Sequence, residues 1–207
     1  ENNGTEQTII ELNNLGFSSR ITEDIFSRYQ EKSLEVIRKD PYSLATEIRG
    51  LGFKRIDQIA QGMGISFDDQ KRILGAVLTS LYEECYSNGN TYANDKLLLE
   101  KSLQLLEGAR SEKVDPEKVA DTIIEAGHKR KIVIEGKRIY PKSLYNSEQE
   151  IAYDLYRLMN NRDEPIEYDE DEIDRCLEDV QAEFSITYGQ DQLQAIKDAI
   201  KSPVFLL

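Results

Sequence analysis

Arg49-Gly50-Leu51-Gly52-Phe53-Lys54-Arg55-Ile56-Asp57-Gln58-Ile59-Ala60 is the stretch that decides how this chain reads. Glycines on either side of one leucine make a tight bend, because glycine reaches φ > 0 without a Cβ penalty. Ile56, Ile59, Ala60 and Met63 then recur at i, i+3, i+4 and i+7, one face of a helix. A bend that runs straight into a helix start presents free backbone N–H groups, which attract anions. Lys54 and Arg55 fall in the first helical turn and add positive charge there. A second reading stays open, in which the glycines only turn a helix–helix corner and hold no ligand.

This pattern resembles the helix-hairpin-helix motif, which grips nucleic-acid backbone without reading sequence. The resemblance makes Gly50, Gly52, Lys54 and Arg55 the candidate DNA-backbone contacts. Leu15-Gly16-Phe17 followed by Ile21 and Ile25 echoes Leu51-Gly52-Phe53 followed by Ile56 and Ile59. It reads as a degenerate first copy, with Asn14 in the place of Gly50 and with Gly16, Ser18 and Ser19 as its candidate contacts. Ile56 stands where the usual hairpin has alanine, which bears on how closely its helices pack.

Around the two bends, residues 1–90 read as short helices with tight corners. Residues 6–14 form one, Ser18 or Ser19 caps a second, and Ser33 to Lys39 is a third, stopped by Asp40-Pro41. Ser66 or Asp68 is expected to cap a longer helix that buries Ile73, Val77, Leu78, Leu81 and Cys85, with Asn88-Gly89-Asn90 ending it. The grammar then changes. Lys96 to Glu107 is an amphipathic helix, and Asp115-Pro116 opens another that Gly127 is expected to end. Ile132 to Tyr140 reads as a β-hairpin turning at Glu135-Gly136. Two helices and a hairpin predict a winged-helix-like unit over 91–160. Its wing carries Lys129, Arg130, Lys131, Lys137 and Arg138, second candidate contacts for DNA, unless the hairpin is simply solvated.

Ser147 to Met159 is a further helix, and Asn160 to Pro165 is a candidate linker. Residues 161–185 are acid-rich, with Ile173, Leu177, Val180 and Phe184 at helical spacing. Asp169 and Asp171 read as a solvated helix face in preference to a metal pair.

The net charge is −13 over 207 residues, which argues against a simple nucleic-acid binder. Its distribution weakens that objection. Basic and acidic residues number 10 and 14 in 1–92, 11 and 9 in 93–144, and 5 and 16 in 145–207. The excess acid thus sits mainly in the last third, leaving the first two thirds free to carry basic patches. His128 is the only histidine, so histidine metal sites and a Ser-His-Asp triad have no support. Cys85 and Cys176 lie far apart with no metal-ligand spacing, which fits a reducing cytoplasm. No apolar run approaches the roughly 18 residues of a membrane span.

The last stretch, 186–207, reads as Ile186 to Ile196 entering a helix that runs through Ala199, a break at Lys201-Ser202-Pro203, and the apolar run Val204-Phe205-Leu206-Leu207. Four such residues predict a buried strand, and a buried strand needs neighbours. The chain is therefore read as a piece of a longer protein. Gln192-x-x-Ala195-Ile196, a helix and then an apolar strand resembles the approach to the phosphate loop of superfamily 1 helicases. With Asp40-Pro41-Tyr42-Ser43-Leu44, the Gly50 bend and Asn88-Gly89-Asn90-Thr91-Tyr92 in that order, the chain resembles the N-terminal region of the longer RecD-like ATP-dependent DNA helicases of bacteria, the YrrC type. The resemblance covers essentially all residues and implies a cut just before the Walker A loop. It implies a mainly α fold: a tandem hairpin bundle over 1–90, the winged unit, an acidic helical linker, and the first helix and strand of a motor domain over 186–207. It implies ATP and Mg²⁺ as cofactors of the parent, 5′→3′ unwinding, and Gln192 as reader of the adenine. DNA, single-stranded or forked, and the protein's own motor domains are the implied partners, with no membrane. The rival reading is a region that docks a protein partner or packs on the motor.

Overall fold

The computed structural model describes residues 2–160 and 168–206. The described chain is mainly helical with one small three-stranded antiparallel sheet. It divides into two compact units, Glu1–Tyr145 and Asn146–Leu207.

The first unit opens with α1 (Asn2–Asn14) and α2 (Ser19–Tyr29), joined by the first glycine bend. Thr22 is fully buried there and its hydroxyl donates to Asn13 Oδ1 at 3.0 Å, pinning α2 to α1. A 3₁₀ turn leads to α3 (Ser33–Lys39). Asp40-Pro41 then does what its chemistry favours. The Tyr42 N–H donates to Asp40 Oδ1 at 3.1 Å, and Pro41 takes the first position of a 3₁₀ turn, where no N–H is needed. One helical turn follows, α4 (Leu44–Glu47), and the second bend enters α5 (Phe53–Gly62).

Helix α6 (Gln70–Tyr82) is the axis of this unit, packed against the helices that follow it. Asp69 caps it by accepting from Lys71 N at 2.8 Å. Ser66 and Asp68, the expected caps, instead bond to each other, and Asp68 pairs with Lys118 at 2.7 Å. Gly75 lets Tyr42 lie directly on the helix, since a Cβ there would fall 2.5 Å from Tyr42 Cβ. Past Tyr82 the chain makes a π-helical turn, Glu83–Ser87. Glu84 ties that turn down, accepting from Asn88 at 3.0 Å, from Asn90 at 2.7 Å and from Lys101.

Then come β1 (Ala93–Asn94), α7 (Asp95–Ala109), α8 (Pro116–His128), β2 (Ile132–Glu135) and β3 (Arg138–Pro141). The strand order is β1-β3-β2, all antiparallel. The hairpin loop is Gly136-Lys137, one residue later than expected, because Glu135 still pairs with Arg138 and Gly136 supplies φ +60°. Gly127 does not end α8. It lies inside the helix, where a Cβ would meet Ile134 Cδ1 at 2.7 Å, and Arg130 takes the left-handed position after the helix. Asp115 and Pro116 open α8 as expected, with Glu117 N donating to Asp115 at 2.9 Å. The buried core is continuous from Leu12 and Ile25 through Ile56, Val77 and Leu81 to Leu98, Val119 and Ile139.

One buried carboxylate locks α5 to its neighbours. Asp57 is 1% exposed and Arg72 fully buried. Arg72 Nε donates to Asp57 Oδ1 at 2.9 Å and its Nη2 to Oδ2 at 3.1 Å. Arg110 Nε donates to Oδ2 at 3.0 Å, and Tyr42 Oη to Oδ1 at 2.6 Å. The guanidinium groups also donate to the carbonyls of Phe67, Leu106 and Ile65, so this polar cluster is satisfied within the core. Burial works against the Asp57 charge, but hydrogen bonds from Arg72, Tyr42 and Arg110 outweigh it and hold the carboxyl below the usual range. Burial, and then the bond to Asp57, drives the Tyr42 phenol well above its ordinary value.

Helix α9 (Lys142–Asn160) begins in the first unit and ends in the second. It includes the expected Ser147–Met159 helix, but its apolar residues Ile151 and Leu158 are exposed. The expected linker, apart from Asn160, falls outside the described residues, as does Leu207. The second unit also holds α10 (Glu170–Phe184) and α11 (Gln190–Lys201). Asp169 caps α10 through Asp171 N at 2.9 Å, and Ile173 and Leu177 are buried, whereas Phe184 is exposed. Residues 203–206 form no strand, contrary to expectation. A strand needs a hydrogen-bonded neighbour, and the second unit has none among the described residues. Among the described residues no helix is long and apolar enough to cross a membrane.

Candidate nucleic-acid interface

The two bends share one backbone. Gly16 has φ +100° and Gly50 φ +85°. A buried apolar residue follows each, Phe17 and Leu51. The helix N-cap comes next: Ser18 at φ −72°, ψ 157°, and Gly52 at φ −76°, ψ 155°. The first helical hydrogen bonds also match, Thr22 N to Ser18 O at 2.8 Å and Ile56 N to Gly52 O at 3.3 Å. The internal repeat therefore exists, but two residues away from the register read in the sequence. Gly16 corresponds to Gly50, and Ser18 to Gly52. Asn14 has no glycine role and is the last residue of α1. The first copy lacks the second glycine, whose extended conformation serine adopts freely. The corrected register also places Arg20 where the second copy has Lys54, a correspondence the sequence reading missed.

The surroundings of the bends differ. The free N–H groups are not the difference: those of Ser18, Ser19 and Arg20 at the first helix start, like those of Gly52, Phe53 and Lys54 at the second, make no hydrogen bond among the described residues. Lys54 is exposed, makes no ion pair there, and lies alongside Gly108 of α7. This helix start opens on a groove of about 910 Å³, floored by Phe53 and Leu105 and walled by Thr46, Tyr82, Glu83 and Tyr86. At the first bend, Arg55 reaches across from α5 and donates to the Gly16 carbonyl, while its Nη1 donates to Gln58 Oε1 at 3.3 Å. Arg55 thus joins the two hairpins, and the space left beside Gly16 is a cleft of about 260 Å³. Ser18 and Ser19 are exposed at the start of α2, and neither side chain caps the helix.

The five wing cations do not form one patch. Lys129 pairs with Glu125, and Lys129 and Lys131 line a cavity of about 260 Å³ with Lys39, Lys71 and Asp40. Burial pushes the Asp40 carboxyl up, against the pull of the Tyr42 N–H, Lys131 and Lys71. Arg130 closes α8. Lys137 is in the hairpin loop at the other end of the ribbon. Arg138 lies over the Tyr92 ring at 5.4 Å and 3.8 Å from Glu135, so it is committed to a cation–π contact. In the second unit, Gln192 Oε1 accepts from Gly189 N at 2.9 Å and lines a mostly apolar cavity of about 600 Å³ with Tyr188, Ala195, Ile196 and Phe205.

A match to a known family falls on the bends. Residues 1–92 match the family model of the ATP-dependent RecD2 DNA helicase HHH domain. The match spans both bends, the Tyr42–Asp57–Arg72 part of the buried cluster and the π-helical turn, and it stops ahead of β1. It supports reading this segment as a RecD2-type helicase N-terminal region built on helix-hairpin-helix units.

Proposed function

We propose that this chain positions DNA, through sequence-independent backbone contacts, for an ATP-dependent 5′→3′ helicase of the RecD2 type. One observation carries the proposal: within a segment that matches a helicase HHH domain, an open helix start with free N–H groups and an unpaired lysine faces a wide groove. Phosphate contacts of this kind fix position and orientation without selecting bases. The succession α6, β1, α7, α8, β2, β3 supports a winged-helix reading in which α6 is shared with the hairpin bundle. That sharing would make the two regions one rigid DNA-holding body. The wing then supplies secondary contacts through Lys131 and Lys137.

ATP and Mg²⁺ belong to the proposed parent activity. The Gln192 amide and the apolar cavity beside it suit the flat face of an adenine. Among the described residues no group of three or more His, Cys, Asp or Glu side chains comes together, and the 207 residues contain no Gly-Lys-Thr turn. We therefore assign no step of ATP hydrolysis to this chain, which is expected to neither hydrolyse ATP nor unwind DNA alone. Two unpaired cysteines agree with a cytoplasmic setting.

A second reading, docking of a protein partner, is favoured by the net charge and by the exposed Ile151, Tyr153 and Tyr156 on α9. Fluorescence anisotropy with a labelled forked duplex separates the two. The DNA reading predicts binding that weakens by orders of magnitude between about 50 and 200 mM salt. Binding that is absent at the lower salt, or indifferent to salt, would favour the protein partner.

A further inference from the structure

We infer that the groove beside the second bend is a single-strand site, in which an unpaired base stacks on the Tyr86 ring next to a phosphate held by Lys54. The inference rests on the DNA-binding reading and specifies the form of DNA that the groove accepts. Tyr86 is 56% exposed, yet its ring is held in place. Its hydroxyl shares a hydrogen bond of 2.7 Å with Ser143 Oγ. Tyr82 backs it in a near-parallel stack, with centroids 5.5 Å apart and planes 10° apart. The turn beneath it is fixed by the bonds of Glu84 to Asn88, Asn90 and Lys101.

An exposed aromatic ring fixed at both its edge and one face is preorganised, so a stacking partner loses little side-chain entropy in meeting it. Tyr86 and Lys54 line the same groove, whose size falls within the range of sites that hold small organic groups. The ligand has to bring a flat π-face and a negative charge together, and a nucleotide in a strand has both. Paired bases within a duplex have their faces covered by neighbours, so only an unpaired strand can use the ring. Such stacking is sequence-tolerant, as backbone recognition requires. The turn is π-helical, a feature frequent at functional sites.

The test uses the whole chain with three labelled probes: a short oligothymidylate, the same strand with abasic sites, and a blunt duplex of equal length. Base–aromatic stacking contributes roughly 5- to 150-fold in affinity per base. Tyr86→Ala is expected to weaken oligothymidylate binding at least fivefold, with the duplex and the abasic strand unchanged. Tyr86→Phe, which keeps the ring and loses only the bond to Ser143, is expected to stay within about twofold of wild type. Equal losses on all three probes, or no loss on oligothymidylate, would overturn the inference. If wild type binds all probes with a clear salt slope and Tyr86→Ala is without effect, only the stacking site is lost. If wild type binds no probe at low salt, the DNA reading falls with it.

Discussion

The two glycine bends have nearly identical backbones and very different surroundings. The first is spanned by Arg55, which holds the Gly16 carbonyl. The second opens on a groove of about 910 Å³. The helices behind them differ as well. Asp57 of α5 is the buried hub of two arginines and a tyrosine, whereas Glu23, the matching residue of α2, is exposed. A bend is thus a local backbone code that can be copied by a few residues. What it does depends on the anchor behind it and the space in front of it. Here the second copy has the rigid anchor and the open front, and the first braces it.

The largest effect that would break this contrast is at the anchor. Asp57→Ala leaves two guanidinium groups buried without their carboxylate, and is expected to cost about 3–5 kcal/mol in urea unfolding. Glu23→Ala at the matching exposed site is expected to stay within about 0.5 kcal/mol. Similar losses at both would mean that Asp57 is no special anchor. The pH dependence follows with its sign. The folded Asp57 value lies below the unfolded one, so its contribution is complete above about pH 4 and fades as pH falls through the lowered value. Asp57→Asn should flatten that acid limb of the stability curve.

Next in size is the shared backbone. Gly16→Ala and Gly50→Ala each place a Cβ at positive φ, and each is expected to cost about 1–2 kcal/mol. A Cβ at Gly16 meets only ordinary contacts, 3.7 Å from Arg55 and 3.8 Å from Ile59, and one at Gly50 meets nothing within 4 Å. The two losses should therefore agree, and a gap above about 1 kcal/mol would undo the corrected register. Smaller still is Arg55→Ala, which removes an exposed bridge and is expected to cost about 0.5–1 kcal/mol. Hydrogen exchange should show it locally, as faster exchange at the Phe17 N–H that bonds Leu12 O.

Much of this was legible in the sequence for physical reasons. Gly50, Asp40-Pro41 and Asp115-Pro116 each restrict the backbone so strongly that their turns and caps follow from residue type. The amphipathic helices followed from spacing. The register of the repeat was not legible, because Leu-Gly-Phe matches Leu-Gly-Phe by letters while only one glycine of each bend needs φ > 0. Strand β1, two residues long, has no period to detect. The Asp57–Arg72–Arg110 cluster joins residues 15 and 53 positions apart, and no local pattern announces it. Nor did the wing lysines show in sequence that Lys129 and Lys131 would meet Lys39 and Lys71 rather than Lys137. The terminal apolar run reads as a strand from its composition, and the neighbour that such a strand requires is not found among the described residues of the second unit.

The most direct test of the DNA grip is the salt slope of forked-duplex binding in wild type, Lys54→Ala and Arg20→Ala. The slope of log K against log salt should fall by about one for Lys54→Ala, with weaker binding to every sequence. Arg20→Ala, at the matching position on the first bend, should leave the slope as in wild type. A Lys54→Ala variant with the wild-type slope and affinity would contradict the assignment of the second bend as the phosphate site.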